Sequence, residues 1–443
     1  MTSISGTNIS GLASGLDTTA LVSQLMQAES QPQQLLKNKV SAEQKTIAAY
    51  QSVNTRVQAL QIASDAMTQA ATWQAALATS SSSAVSATAS AGAPSGQYTF
   101  DVTALARAQV STAILPADSA ATTGAGLDIA INGGTPTHLA ITTDTAQGVA
   151  DAINTANLGV KAMVVNTDQG TVLQFNATKT GTAGSFSIAG LAAATVDQTT
   201  AGDAKITVGT LGQGGYTVSS STNTFTNLVP NVTLTATQVQ AGVTLNVASD
   251  VNGVAAQMQA MVTAANAALT EISAQSTYTA GTSGAAGTAG TLLSDLGVQS
   301  LQQNILGAIS NGAPAYGSFQ QLGLQLDKTG KFTFDKAAFI AAYQANPAAI
   351  QAAVQNGVGK TLSALGTAAT NSTTGTLTTA IAGGNDQITV LNDQISTWGT
   401  RLADRQSILQ KQFSDMEVAL GKLKDQANWL TGQIASLPSN SKN

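Results

Sequence analysis

Side chains that commonly carry out chemistry are scarce in this sequence of 443 residues. It has no cysteine, which removes disulfides, thiolate nucleophiles and cysteine-ligated metals together. His138 is the single histidine, and one histidine excludes a metal site built from several. It stands beside a predicted turn, where an exposed or capping role is more common than catalysis. Ser–Lys and paired-aspartate sites stay open at this point, but the sequence predicts no enzyme and no cofactor.

Two short motifs resemble ligand-binding loops but lack the context that such loops need. Residues 212–215 are glycine-rich, yet a predicted strand follows them where a phosphate-binding loop would lead into a helix. Residues 327–331 begin like a calcium loop but lack carboxylates at its third and fifth positions. The glutamates all fall on predicted helices, where we expect solvated faces: Glu29, Glu43, Glu271 and Glu417.

The composition excludes other classes of function. Only 9% of the residues are charged, against about 25% in an average protein. The formal net charge of −5 and the absence of a basic patch do not favour nucleic-acid binding. No stretch has the ~20 mostly apolar residues of a spanning helix, so we expect no membrane insertion. Residues 1–14 lack the pattern of a cleavable signal peptide, and the composition favours a bacterial surface protein exported by a dedicated machine.

The carboxyl-terminal stretch, residues 385–437, has the apolar spacing of a coiled-coil helix. Steps of three and four residues alternate, with one gap of seven, so the apolar side chains form one stripe that needs a partner. Asn385 or Asp386 can cap the start of this helix, and Pro438 stops it. The predicted partner stripe contains Ile388, Leu391, Ile395, Trp398, Leu402, Leu409, Phe413, Met416, Leu420 and Leu423.

The amino-terminal stretch has a similar pattern and is the natural partner of the carboxyl-terminal one. Asp17 can cap a first amphipathic helix, and Ser30 with Gln33 predicts a capping box at the start of a second. These helices are expected to run to about Trp73. An intramolecular helix pair with no other role remains an alternative to a surface that binds a partner. On this side the predicted stripe contains Ile47, Tyr50, Val57 and Leu60.

The apolar period changes from helical to two in the middle of the chain, which predicts strands. We therefore predict a multidomain α+β fold with long terminal coiled-coil helices, a helical core domain and inserted β-rich modules at the distal end. Small residues at 366–384 suggest a linker into the last helix. The predicted parts are an N-terminal leg and coiled-coil helix at 1–75, a hinge at 76–94, a β-rich head at 95–115 plus 201–250, an inserted β/α module at 116–200, a helical core with a β-hairpin at 251–380, and a C-terminal coiled-coil leg at 381–443.

Four stretches, in this order, resemble the FliD family of flagellar filament cap proteins, also called flagellar hook-associated protein 2. Residues 9–17, ISGLASGLD, resemble the opening of the family, and residues 127–175 resemble its small flagellin-type module. Residues 218–250 resemble the segment that returns to the helical domain. Residues 319–354, from FQQLGLQLDKTGKF onward, resemble the C-terminal domain most strongly. Each motif is weak by itself, and their joint order is specific.

The resemblance implies a secreted, structural protein at the distal tip of the bacterial flagellar filament, where it retains exported flagellin and promotes its polymerisation. It also implies a ring of identical subunits, about five on the filament, because a plate on a helical filament needs contacts that close. Flagellin at the tip and an export chaperone before secretion would be its other partners. The alternatives are a secreted adhesin or carbohydrate-binding protein, and a hook–filament junction protein or flagellin relative. Residues 319–354 favour the cap over these.

Overall fold

The computed structural model describes residues 15–115, 119–124, 126–281, 286–313 and 316–436. Within these ranges the longest helices lie towards the two ends of the chain and the shorter ones lie between. No helix of the described ranges carries an apolar run long enough to cross a membrane. The α-helices are α1 Thr18–Glu29, α2 Gln31–Thr68, α3 Ala70–Trp73, α4 Ala146–Ala156, α5 Val251–Ser276, α6 Leu296–Ser310, α7 Lys336–Ala345, α8 Pro347–Ala353, α9 Gly359–Thr370 and α10 Thr376–Ala435.

The strands are short and pair antiparallel throughout the described sheets. They are β1 Ala76–Ser80, β2 Val85–Ala89, β3 Gly96–Ala104, β4 Val110–Leu115, β5 Gly126–Ile131, β6 Thr137–Ala140, β7 Val160–Thr167, β8 Gly170–Ala177, β9 Phe186–Ala189, β10 Val196–Thr199, β11 Ala204–Val208, β12 Tyr216–Ser220, β13 Thr224–Phe225, β14 Val232–Ala236, β15 Gln240–Ser249, β16 Tyr278–Thr279, β17 Thr288–Ala289, β18 Leu324–Leu326 and β19 Phe332–Phe334.

The chain divides into two compact units, each assembled from separate stretches of sequence. The first, the helical unit, comprises Met1–Asp65, Ala260–Phe334 and Asn356–Asn443. The second, the β-rich unit, comprises Ala66–Gln259 and Asp335–Gln355 and holds strands β1 to β15. Both terminal stretches therefore belong to the same unit, as their shared heptad pattern suggests. The α+β class and the long terminal helices predicted from the sequence are confirmed.

Two sheets in the β-rich unit share one hydrophobic core, which we call the head. The five-stranded sheet has the order β1-β15-β3-β11-β12, and the three-stranded sheet has the order β13-β14-β2. The alternation at Tyr98, Phe100 and Val102 places the last two inside, and Phe100 pairs with Val243 across the ladder. Leu234 enters the same core from the three-stranded sheet. The period-two pattern is therefore a correct guide to which face of β3 is buried.

A second core within the β-rich unit belongs to the inserted module. Its sheets have the orders β10-β4-β8-β7 and β6-β5-β9, and α4 packs against β7. Asn132 and Gly133 both have positive φ, 51° and 67°, as a tight hairpin turn between β5 and β6 requires. Because β4 pairs with β8 and β10, residues 110–115 join the module, whereas the sequence predicts them in the head.

Asp144 and Gln147 have the three-residue spacing of a capping box, but no such pair forms at the start of α4. Thr145 is the cap, since its hydroxyl accepts from the backbone N–H of Gly148 at 3.1 Å. Asp144 instead accepts from the backbone N–H of Thr122, and Gln147 donates to Asp151. Because the Asp144 carboxylate bonds Thr122, it does not cap α4.

Residues 76–94 contain strands β1 and β2, so the predicted hinge was wrong as a description of local structure. β1 pairs with β15 over five residues, and β2 pairs with β14 over five. The side chains of this stretch are small and bury little area, so burial offsets little of the conformational entropy that is lost when the stretch becomes ordered. The ladders satisfy its backbone groups, and Val85 is buried in the head core.

The helical unit is built around α2, the long opening helix. Ser52 of α2 donates to Glu271 of α5 at 2.7 Å, and Gln61 donates to Thr367 of α9 at 3.1 Å. The β18–β19 hairpin is fixed to α5 because the Asn266 amide bonds both the N–H and the carbonyl of Phe332 at 2.8 Å. Because α2 contacts both α5 and α9, it needs apolar residues on more than one of its faces.

The linker predicted at residues 366–384 was wrong, because α9 and α10 leave only residues 371–375 outside a helix. The small residues serve close packing. A Cβ on Gly366 would lie 2.5 Å from the Cβ of Gln61, and one on Gly384 would lie 2.7 Å from Cγ1 of Ile47. Glycine at these two positions lets α9 and α10 approach α2 more closely than any side chain would permit.

Two predicted helix caps were also wrong. α10 begins at Thr376 with Gly375 at the cap position, so Asn385 and Asp386 lie inside the helix. Ser30 is helical itself and its hydroxyl donates to the Gln27 carbonyl of the preceding turn. The capping box therefore does not form, whereas Asp17 caps α1 as predicted by accepting from Ala20 N–H at 2.9 Å. Pro438 lies outside the described residues.

Candidate functional site

The terminal helices form an antiparallel pair within the helical unit. One member of this pair is α1 followed by residues 31–47 of α2, and the other is α10. We call the two members together the terminal helix pair. Arg405 of α10 bonds Glu29 at the end of α1, Nε to Oε1, at 3.1 Å. The Gln33 side chain of α2 donates to the Ile395 carbonyl of α10 at 3.1 Å. With 60 residues, α10 is about 90 Å long at 1.5 Å per residue, so it reaches well beyond a single packed core.

Most of the predicted stripe is used inside the chain. The fully covered members are Ile47, Val57, Leu60, Leu391 and Leu409. Other parts of the chain cover these members. The half-buried members are Tyr50, Ile388, Ile395, Trp398, Leu402, Phe413, Met416 and Leu420.

Leu423 is the stripe residue that stays open, with 59% of its surface exposed. It begins a run of exposed apolar side chains along the last turns of α10: Trp429, Leu430 and Ile434 are 66%, 54% and 61% exposed. Burying a large apolar side chain contributes about 1.5–3 kcal/mol, so this run is a strong candidate for a contact with another molecule.

A groove runs along one side of the terminal helix pair and encloses about 840 Å³. Leu35 and Leu36 of α2 form one wall, and Val390 and Trp398 of α10 form the other. The guanidinium carbon of Arg401 lies 5.7 Å from the centre of the Trp398 ring, a cation–π contact. The heptad stripe by itself does not reveal this groove. A second line of apolar positions beside the stripe, at Leu35 and Val390, is the signal that could have revealed it.

The glutamates are not all solvated, so that expectation was wrong in part. Glu417 is only 8% exposed in α10, and Glu29 is engaged with Arg405. Hydrogen bonds from Gln275 and then from Ser52 lower the pKa of Glu271 below its ordinary value. Glu29 and Glu271 therefore join neighbouring helices, which the helical spacing alone did not show.

Tyr50 of the predicted stripe has a specific polar contact. Its hydroxyl donates to Asp295, and the other oxygen of Asp295 accepts from Gly297 N–H and Val298 N–H at the start of α6. Burial, together with the hydrogen bond and charge of Asp295, raises the pKa of Tyr50 to about 12. The phenol therefore stays protonated and links α2 to the capped end of α6.

The groups considered for chemistry take structural roles in the described chain. His138 Nδ1 lies 2.8 Å from Oδ1 of Asp128 on the neighbouring strand, and both side chains are mostly exposed. The Thr329 hydroxyl donates to Asp327, as do the backbone N–H groups of Lys331 and Thr329, and these hydrogen bonds lower the pKa of Asp327. Among the described residues, no three His, Asp or Glu side chains are grouped so that they could hold a metal ion.

Comparison with known proteins agrees with this architecture. The family model for the C-terminus of flagellar hook-associated protein 2 matches residues 201–425, and the model for its N-terminus matches residues 14–109. Flagellar hook-associated protein 2 of Escherichia coli K12 is 27% identical over 98% of both chains. The lateral flagellar hook-associated protein 2 of Vibrio parahaemolyticus is 28% identical over 63% of this chain and 67% of its own.

A solved structure shows a similar fold. The crystal structure of the D1-D2-D3 domains of the flagellar cap protein FliD from Escherichia coli superposes with a TM-score of 0.61 at 25% identity. It covers 76% of this chain and 99% of its own. The C-terminal family model alone spans about half of the sequence, and the second model adds the opening helices. This chain belongs to the flagellar hook-associated protein 2 family.

Proposed function

We propose that this protein caps the distal end of the bacterial flagellar filament, retains exported flagellin there and promotes its polymerisation. The observation that carries this function is the family match over residues 201–425, together with a fold shared with a flagellar cap protein. The role is structural, as it is for these relatives. The named relatives are hook-associated and cap proteins, and nothing in them supports an adhesin or a flagellin.

The terminal helix pair is the part we propose to contact flagellin at the filament tip. Its exposed end, from Leu423 to Ile434, supports this because it offers apolar area that no described residue of the chain covers. In this proposal the buried stripe holds the pair together, and the exposed end makes the contact.

We extend the proposal to the division of labour along the chain. Residues 1–75 and 381–443 act as the leg, 95–109 plus 201–250 as the head, 110–200 as the inserted module and 251–380 as the helical core. In this proposal identical subunits close into a ring of about five, because a plate on a helical filament needs contacts that close. An export chaperone that binds before secretion completes the proposed set of partners.

The experiment that tests the proposal deletes the gene in its host and follows flagellin. We expect unpolymerised flagellin in the medium, short or absent filaments, and rescue when purified full-length protein is added back. Western analysis of the medium and electron microscopy of the cells provide the measurements. Normal filaments with no leaked flagellin would show that the protein is not the cap.

A further inference from the structure

We propose that the groove beside the terminal helix pair binds a third helix: an amphipathic helix of flagellin that carries carboxylates along one edge. The inference rests on the proposed function and adds to it a specific surface and the chemistry of the partner segment. It differs from the exposed end of α10, because the groove lies where the two helices are already paired.

The shape of the groove fits a helix. On α2, Leu35, Lys39 and Ala42 follow one another at steps of four and three, which places them on one helical face. On α10, Val390, Thr397 and Arg401 share a face in the same way. Two antiparallel helices with matching side faces leave a channel parallel to their axes. A third helix that lies in such a channel completes a three-helix bundle, as in other knobs-into-holes assemblies.

The apolar edge is longer than the groove itself. On the N-terminal side, the helical spacing of Leu35 continues into α1 at the exposed residues Leu25 and Leu21. On α10, the same edge continues to the exposed residue Ile408. Leu21 and Ala42 are 21 residues apart, or about 30 Å at 1.5 Å per residue. A helix of about 20 residues matches that length. Leu35 is 61% exposed, so the channel is open to such a helix along its side.

The charges favour an acidic occupant. Lys39 and Arg401 line the groove, are exposed, and have no ion-pair partner among the described residues. Asp393 is the one carboxylate among the residues that line it, so the groove keeps a net positive charge in a protein whose formal charge is −5. Because Arg401 also stacks on Trp398, its position at the groove is defined. A carboxylate-bearing helix is complementary to this pair of cations.

Other segments of the same protein fit less well. The exposed end of α10 in a second copy carries Lys422 and Lys424 against Asp425, so it would bring like charge to the groove. Residues 1–14 contain no acidic side chain at all. Both are therefore poor matches for Lys39 and Arg401, and an external helix is the better one.

The test measures how labelled full-length protein binds to the broken distal ends of filaments sheared from wild-type cells. The double variant Lys39→Glu with Arg401→Glu should associate about tenfold more slowly at low salt, and this difference should shrink as the salt concentration rises. The matched control, Lys328→Glu with Lys360→Glu, makes the same change in net charge at two exposed positions outside the terminal helix pair and should associate like the wild type.

A second variant tests the apolar wall independently of charge. Leu35→Ser should raise the dissociation rate about tenfold, because Leu35 is exposed in the free protein and its apolar surface is buried only in the complex. Ile62→Ser, at another exposed position of α2, is its control, and thermal unfolding of all variants should match the wild type. If the wild type caps filaments and both groove variants bind as it does, the groove inference is wrong while the proposed function stands.

Two further outcomes separate the remaining possibilities. Wild-type protein that fails to bind filament ends would overturn the proposed function and the groove inference with it. Variants that bind filaments normally but change the oligomeric mass in light scattering would show that a second copy occupies the groove, which would overturn the flagellin assignment.

Discussion

At the scale of single residues, a few polar side chains decide how the helices of the helical unit meet. Asp295 is an example, because one of its oxygens caps α6 while the other accepts the hydroxyl of Tyr50 from α2. Both oxygens of this carboxylate act as hydrogen-bond acceptors. Burial, and then the hydrogen bond and the charge of Asp295, raise the pKa of Tyr50 to about 12, since a phenolate there would add a second negative charge to a half-buried site.

Tyr50→Phe should therefore lower the free energy of unfolding by about 1.5–3 kcal/mol near pH 7, the usual loss for a hydrogen bond to a charged group. Since the pKa of Tyr50 is raised in the folded state, the stabilisation is complete below its ordinary value of 10.0 and disappears as the pH rises through about 12. The gap between the two proteins in urea denaturation should close over that window. Tyr278→Phe, at a 60% exposed position, is the control, and a variant as stable as the wild type would contradict the role of the contact.

At the scale of helices, the two adjacent glycines near the start of α10 have opposite surroundings. A Cβ on Gly383 would meet no atom within 4 Å, whereas one on Gly384 would lie 2.7 Å from Ile47 of α2. Both glycines weaken the helix in isolation by about 1 kcal/mol relative to alanine. Only Gly384 is needed for the packing of α10 on α2.

Gly383→Ala should thus raise the free energy of unfolding by up to about 1 kcal/mol, because it adds helix propensity without a clash. Gly384→Ala should lower it by about 1–3 kcal/mol, the typical cost of overpacking a filled interface. Thermal unfolding of the two single variants provides the measurement, and each serves as the control of the other. Equal effects of the same sign would mean that α10 does not pack closely on α2 at this point.

At the scale of the whole molecule, the exposed end of α10 stands apart from the rest of the helical unit. Within the described residues, Trp429, Leu430 and Ile434 have little apolar cover, although a soluble helix usually buries such a run. Their surface is therefore available for assembly and contributes little to the stability of the free chain.

Leu430→Asp with Ile434→Asp should accordingly leave the free energy of unfolding within about 0.5 kcal/mol of the wild type, as surface substitutions usually do. The same variant should fail to stop flagellin loss when it replaces the wild-type gene. Flagellin in the culture medium is the measurement, and Leu211→Asp with Val239→Asp, at exposed positions of the head, is the matched control for added charge. Full complementation by the α10 variant would exclude this end as the flagellin contact.

Features that depend on neighbours along the chain could be predicted from the sequence. The Asp17 cap, the Asn132–Gly133 turn and the buried face of β3 each involve residues within a few positions of one another, so their spacing is sufficient. The heptad stripe of α10 also belongs here, because its period follows from the helix itself.

Features that depend on distant partners needed the tertiary structure. Residues 76–94 become strands because β14 and β15, some 150 residues later, supply the backbone partners. By sequence Gly384 resembles a linker residue, whereas in the structure it lies against Ile47 of α2. The heptad stripe predicts a surface for a partner, whereas most of it is buried or half-buried within the chain. The sequence by itself determined most helices, most strands and the family resemblance, because local spacing encodes them. Which faces stay open, including the groove at Lys39 and Arg401, was decided by packing between segments that no local pattern connects.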